Sequence, residues 1–174
     1  MTKQEFGTLL KESKPIGLIL SVLSAVLIIF ASVAGVVSDA AYNMKMSALD
    51  RTSQPTPGAD KIVAFFEEDG KYTDQYIPEA LLAGGPEEVA AVIICEDGTI
   101  PDGFYPNGAM GYIRTTTLSW YDLGTQKVLG TMTFEGGPAP FSVKSNDRSD
   151  QYGSYPDSAE MTRWIEKMAQ AFLP

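Results

Sequence analysis

Gly111-Tyr-Ile-Arg-Thr-Thr-Thr-Leu-Ser-Trp-Tyr121, Asp122-Leu-Gly-Thr-Gln126 and Lys127-Val-Leu-Gly-Thr-Met-Thr-Phe134 are consecutive stretches that decide the fold. The first is rich in threonine and aromatic residues, which suit a pleated, half-buried surface. The second carries Asp, Gly and Thr where a chain must turn. The third returns with Val128, Gly130, Met132 and Phe134 at alternate positions, so they share one face. Together they predict an antiparallel β-hairpin.

Outward from this hairpin, two shorter apolar runs read as strands. Lys61-Ile-Val-Ala-Phe-Phe66 leads into the turn Glu67-Glu-Asp-Gly70, and Val89-Ala-Ala-Val-Ile-Ile-Cys95 closes at Glu96-Asp-Gly98. Ile77 to Ala83 reads as a short helix stopped by Gly84-Gly-Pro86, and Pro101 to Gly111 as a loop. An irregular crossing is expected from Gly136 to about Pro156. The last element is a helix: Asp157 supplies a cap, Glu160 stands where a capping box needs an acid, and Met161, Trp164, Ile165, Met168, Ala169 and Phe172 recur at helical spacing. These elements predict an α+β domain over residues 60–174, a mostly antiparallel sheet of about four strands covered by the C-terminal helix.

Ahead of this domain lies a different kind of chain. No ionisable side chain occurs between Pro15 and Val37. At a rise of about 1.5 Å per residue, Ile16 to Val37 extends roughly 33 Å, enough to cross a hydrocarbon core of about 30 Å. A soluble helix of that length would show a polar face; here Ser21, Ser24 and Ser32 are the polar residues, and their hydroxyls can bond the helix's own carbonyls. The stretch predicts a single transmembrane helix that partners the lipid bilayer. It is too long for the usual apolar region of a cleavable signal peptide, although Ser38-Asp-Ala40 offers small residues for cleavage; an uncleaved signal anchor fits better. Lys3, Lys11 and Lys14 precede the span, with the last two nearest the membrane edge, and Lys45 and Arg51 follow it. The basic-inside tendency then places residues 1–14 in the cytoplasm and the C-terminal domain outside the cell membrane. Gly17, Ser21 and Ala25 form a small-residue stripe that would let two such helices pack as a homodimer. Residues 38–59 are expected to be a helical extension and a stalk, since Arg51-Thr-Ser-Gln-Pro-Thr-Pro-Gly58 breaks regular structure.

Charge and composition exclude several functions. The chain has 22 acidic and 13 basic residues, net −9, and residues 60–174 alone hold 18 acidic and 8 basic side chains. That balance argues against nucleic acid as a partner. With no histidine and one cysteine, Cys95, histidine-dependent triads, histidine- or four-cysteine zinc sites and an intrachain disulfide drop out. Cys95 ends an apolar run and reads as a small core residue. Ser142 and Lys144 permit a Ser–Lys dyad, but their polar surroundings would keep the lysine protonated. The oxygen-rich stretches Glu67-Glu-Asp69, Glu96-Asp97 with Asp102, and Asn146-Asp147 with Asp150 lack the alternating Asp/Asn pattern and closing Glu of a calcium loop. Gly84-Gly85 and Gly136-Gly137 lack the spacing and the following Lys of a phosphate loop. No catalytic, cofactor-binding or metal-binding residue is assigned. Phe104, Tyr105, Tyr112, Trp120, Tyr121, Tyr152 and Tyr155 could line a recognition surface, or simply anchor sheet and loops.

Gly103-Phe-Tyr105, Leu118-Ser-Trp-Tyr-Asp122, Thr125-Gln-Lys127, Phe134-Glu-Gly136, Pro138-Ala-Pro140, Tyr152-Gly153 and Pro156-Asp157 together resemble a domain of secreted or membrane-tethered bacterial proteins of unknown role. The resemblance implies no activity and carries over no functional residue. Gly7 and Glu12 before an apolar helix are similar to a type IV pilin leader, but Lys11, Lys14 and Pro15 interrupt the stretch that should be apolar. The expectation is a single-pass membrane protein displaying a non-enzymatic module that binds a macromolecule, such as an envelope protein, or supports an assembly. A tethered hydrolase using paired carboxylates and a pilin-like subunit are the alternatives.

Overall fold

The expected hairpin forms one end of a larger mixed sheet in the computed structural model, which describes residues 40–173. Ile16–Val37 with its stripe Gly17, Ser21 and Ala25, and the residues before it, lie outside the described residues, as do Ser38 and the Gly7/Glu12 pair. Among the described residues no helix is long and apolar enough to cross a membrane.

Six strands are present among the described residues: β1 Lys61–Phe66, β2 Tyr72–Thr73, β3 Val89–Phe104, β4 Met110–Asp122, β5 Lys127–Glu135 and β6 Gln151–Tyr152. Their order is β2-β1-β3-β4-β5, with β6 paired to β4. With a C-terminal helix at Ser158–Phe172, the fold is α+β. The expected mostly antiparallel sheet of about four strands needs correcting, because β1 pairs parallel to β3 and β6 parallel to β4. After β1 the chain must return to the same end of the sheet before β3 begins. It does so through β2 and the segment around Ile77–Ala83, as parallel pairing demands a crossover.

Ile77–Ala83 is not the short helix that was expected. Pro78 and the Gly84-Gly85-Pro86 stop leave room for little more than one turn, closed by Leu81 N donating to Pro78 O at 2.8 Å. The backbone then joins β1 instead: Ile62 N donates to Leu81 O at 2.8 Å and Ala83 N to Ile62 O at 2.9 Å.

β3 also runs past its expected end. Instead of closing at Gly98 it continues to Phe104, rung by rung against the threonine-rich half of β4, so the loop before Gly111 shrinks to residues 105–109. Pro101 is tolerated because β1 stops at the Phe66↔Cys95 rung, leaving this half of β3 an edge strand with no ladder bond for proline to break.

One face of the sheet holds the main core. Ile62, Ile93, Leu118 and Trp120 meet Met161, Ile165 and Ala169 of the helix. Burying each large side chain is worth about 1.5–3 kcal/mol. The helix starts as expected, Asp157 accepting from Ala159 N at 2.9 Å. Glu160 does not close a capping box; its carboxylate lies 3.8 Å from Arg163. Phe172, expected on the buried stripe, is 45% exposed in the last turn, and Leu173 packs there instead.

The opposite face, with Val63, Val92 and Ile94, is covered from the N-terminal side of the unit that begins at Asn43. Met46 and Leu49 are buried, and Leu49, Phe65, Tyr72 and Val92 line one small cavity. Asn43 clamps the backbone of Tyr72 from both sides, at 3.1 and 2.7 Å. Residues 51–58 are irregular, as their prolines dictate, and they touch the sheet: Tyr121 donates to Arg51 O at 3.0 Å, and Arg51 pairs with Glu67 at 2.7 Å.

Candidate functional site

The outer half of the β3–β4 hairpin is where the chemistry gathers. Beyond Cys95 the strand β3 is exposed throughout residues 96–104. On β4, Arg114 precedes Thr116, Leu118 and Trp120 at alternate positions, so it lies on the core face although the helix begins too late in the chain to cover it. Residues 151–155 cover it instead.

Two glycine contacts set that cover. The segments 136–138 and 153–155 cross so closely that a Cβ on Gly136 would stand 1.9 Å from Ser154 O, and one on Gly153 1.9 Å from Gly137 O. Only glycine permits this approach. Gly136 N donates to Arg114 O and Gly153 N to Tyr112 O, both at 2.8 Å, so the crossing is stitched to β4. These glycines serve close packing.

Tyr152 and Tyr155 are thereby brought to Arg114. Its guanidinium carbon lies 4.2 Å from the Tyr155 ring centroid and 5.1 Å from that of Tyr152, which stacks in turn on Tyr112 at 5.4 Å and 18°. Stacking engages the faces of a guanidinium and leaves the in-plane N–H donors unused. Among the described residues Arg114 forms no ion pair, and its Nε is buried without a hydrogen-bond partner. The side chain opens on a cleft of about 390 Å³ lined also by Asp97, Gly98, Thr99 and Thr115. Asp97 is fixed by Thr116, whose hydroxyl donates to Oδ1 at 2.7 Å. Behind it, burial, and after that Asp97, Cys95 and Tyr155, push the Tyr76 phenol up to about 12, so it stays protonated.

The other sequence candidates fall elsewhere. Cys95 is buried and its thiol is pushed up to about 12, first by desolvation and then by Asp97, so it is a neutral core residue at physiological pH. Ser142 and Lys144 are both exposed on an irregular segment. The acidic loops are spent on the fold: Asp102 accepts from Ala139 N, Asp150 from Met110 N, and Asp147 from Ser149 and Gln151. Among the described residues no group of three or more such side chains could hold a metal ion.

One carboxylate pair does form. Glu67 and Glu96 bond to each other at the edge between β1 and β3. That bond holds the Glu67 carboxyl down, with Arg51 adding to it, and pushes Glu96 up. Both side chains lie open to solvent.

The aromatics divide three ways. Trp120 is core, and Tyr121 holds the Arg51 backbone. Tyr112, Tyr152 and Tyr155 build the arginine cleft. Phe104 and Tyr105 sit at the hairpin tip with Phe141 and Pro140, around a second cavity of about 490 Å³. The role of Arg114 went unread in the sequence, where the one available signal was an arginine in phase with Leu118 and Trp120. Its tyrosine partners lie some forty residues away, across a crossing no local pattern reveals. No family model, curated protein or solved structure matches this chain.

Proposed function

We propose that this protein is a single-pass membrane protein whose acidic α+β domain is displayed outside the cell and binds a ligand without transforming it. Ile16–Val37 supplies the anchor in this reading, and the cleft around Arg114 the recognition. One observation carries it: an arginine held against two tyrosine rings, its Nε unpaired among the described residues, beside a cleft of ligand-binding size. Holding a guanidinium in place before the ligand arrives removes an ordering cost that binding would otherwise bear. The groups around it are hydroxyls, ring faces and a hydrogen-bonded acid. They suit orientation and recognition.

Two experiments test this. Full-length protein in lipid nanodiscs, applied to glycan and peptide arrays in parallel, is expected to be retained by one class of ligand, and Arg114→Gln to lose that retention. Equal retention of the variant, or release of a chemically altered ligand, would count against a non-catalytic module at this cleft. Protease added to intact cells is expected to digest the domain while the anchor stays with the membrane fraction. A protected domain, or an unprocessed chain in the soluble fraction, would contradict the proposed topology.

A further inference from the structure

We infer that the cleft takes an acidic sugar, with the carboxylate of a uronic acid on Arg114 and ring hydroxyls on Asp97 and Thr99. This rests on the binding-module reading above and gives it a ligand class.

Charge comes first. Arg114 is the one cationic side chain lining the cleft. A planar fork of N–H donors matches one carboxylate, both partners being flat and bidentate. A phosphate dianion would call for further cations, and a polyanion would meet the repulsion of a chain with net charge −9. A single negative charge is therefore the best match.

The rest of the lining identifies what carries that charge. Asp97, Thr99, Thr115, Tyr152 and Tyr155 offer hydroxyls, carboxylate oxygens and ring faces, and the lining contains no aliphatic side chain. A peptide carboxyl terminus with an apolar last residue would find nowhere to bury it. A hydroxylated ring finds partners throughout. Asp97 Oδ1 is occupied by Thr116, which leaves Oδ2 to accept from a ligand hydroxyl. Tyr155 is 65% exposed, so its ring keeps free surface beyond what Arg114 covers.

The spacing agrees. Asp97 and Thr99 stand opposite Thr116 and Arg114. Two residues along a strand separate the acceptor rung from the arginine rung by about 7 Å. That is the scale of a pyranose ring with a carboxylate on one side and hydroxyls on the other. A volume of about 390 Å³ lies within the range of small-molecule sites.

The test is calorimetric titration of the full-length protein in nanodiscs with glucuronate and galacturonate, against glucose, galactose and acetate. At least one uronate is expected to bind ten-fold or more tightly than both its neutral sugar and acetate. Arg114→Gln is expected to weaken that binding at least ten-fold. Arg114→Lys, which keeps the charge and loses the fork, should fall between the two. Asp97→Asn leaves the arginine–tyrosine stack intact and is expected to weaken uronate binding more than acetate binding, so the inference does not depend on Arg114 variants folding well. Uronates that bind no better than acetate, or equally to Arg114→Gln, overturn it. Retention on a peptide array that depends on Arg114, together with no uronate binding, would sink the sugar assignment and leave the module standing. Silence on both arrays and in the calorimeter would sink both.

Discussion

The inner and outer halves of the β3–β4 hairpin share one continuous ladder and have opposite characters. Up to Cys95 the hairpin is covered on both faces, by the C-terminal helix on one side and by the chain around Met46 and Leu49 on the other, and its residues are apolar and buried. Beyond that rung β1 has ended and the helix has not begun. The same backbone hydrogen bonds continue through Gly98, Thr99, Pro101 and the Thr115–Thr117 run. The inner half stabilises the fold. The outer half, relieved of that task, carries polar and aromatic groups that the core could not have accommodated. Among these is Arg114, which forms no ion pair among the described residues.

The sharpest way to break the contrast is to cut the inner half. Trp120 is fully buried at the centre of the core, and Trp120→Ala is expected to cost about 3–5 kcal/mol in denaturant unfolding. The most damaging change in the outer half should be smaller. Gly136→Ala drives a methyl into Ser154 O, and the overpacking is expected to cost about 1–3 kcal/mol. It should also displace Tyr152 and Tyr155 and abolish array retention, so binding is lost while the core still unfolds cooperatively. A binding-competent Gly136→Ala protein would show that the crossing does not build the cleft.

Asp157→Ala removes the helix cap at the boundary between the halves. The expected cost is about 1 kcal/mol, within a usual range of about 0.5–2, read as a lower denaturation midpoint with an unchanged slope. The smallest effect is the pH dependence at the acid pair. Glu96 holds its proton more tightly in the folded chain, so its contribution is present at low pH and is lost as pH rises through its raised value. Glu67 is shifted the other way, so its contribution is lost as pH falls. Glu96→Gln keeps a donor for Glu67 at every pH and removes the like-charge contact. The variant is expected to melt slightly above the native protein at pH 7, with the gap closing as pH falls below the ordinary glutamate range. A gap that widens in acid would refute the shared proton.

Much of the fold could be read from local pattern because its causes are local. The Asp122 turn, whose carboxylate accepts from Thr125 N at 2.6 Å, and the Asp157 cap are each settled within a few residues. The alternation holds for Gly130, Met132 and Phe134, while a bulge pairs Val128 with Tyr121, moves it off their face and turns Leu129 toward the core. The parallel β1–β3 pair left one trace in the sequence. Ile62-Val-Ala64 and Val89-Ala-Ala-Val-Ile-Ile-Cys95 are unbroken apolar runs, as strands covered on both faces must be, whereas a sheet with one wet face would alternate. The extension of β3 left less. Glu96-Asp-Gly98 and Pro101 have the composition of a turn, and nothing short of the waiting β4 edge makes them a strand.

The cleft was hidden for the same reason. The aromatic residues were visible as a class, but which of them meet was not, because Arg114 and Tyr155 are joined by a backbone crossing rather than by periodicity.

By itself the sequence determined the class of the domain, its capped helix, its threonine-rich hairpin and the chemistry it has no residues to perform, since these follow from side-chain spacing and from which residue types are present. Tertiary structure alone decided the parallel partner of β3, the length of the hairpin and the meeting of an arginine with two tyrosines. Those outcomes depend on which distant backbones satisfy each other's hydrogen bonds, a requirement that leaves almost no mark on the order of neighbouring residues.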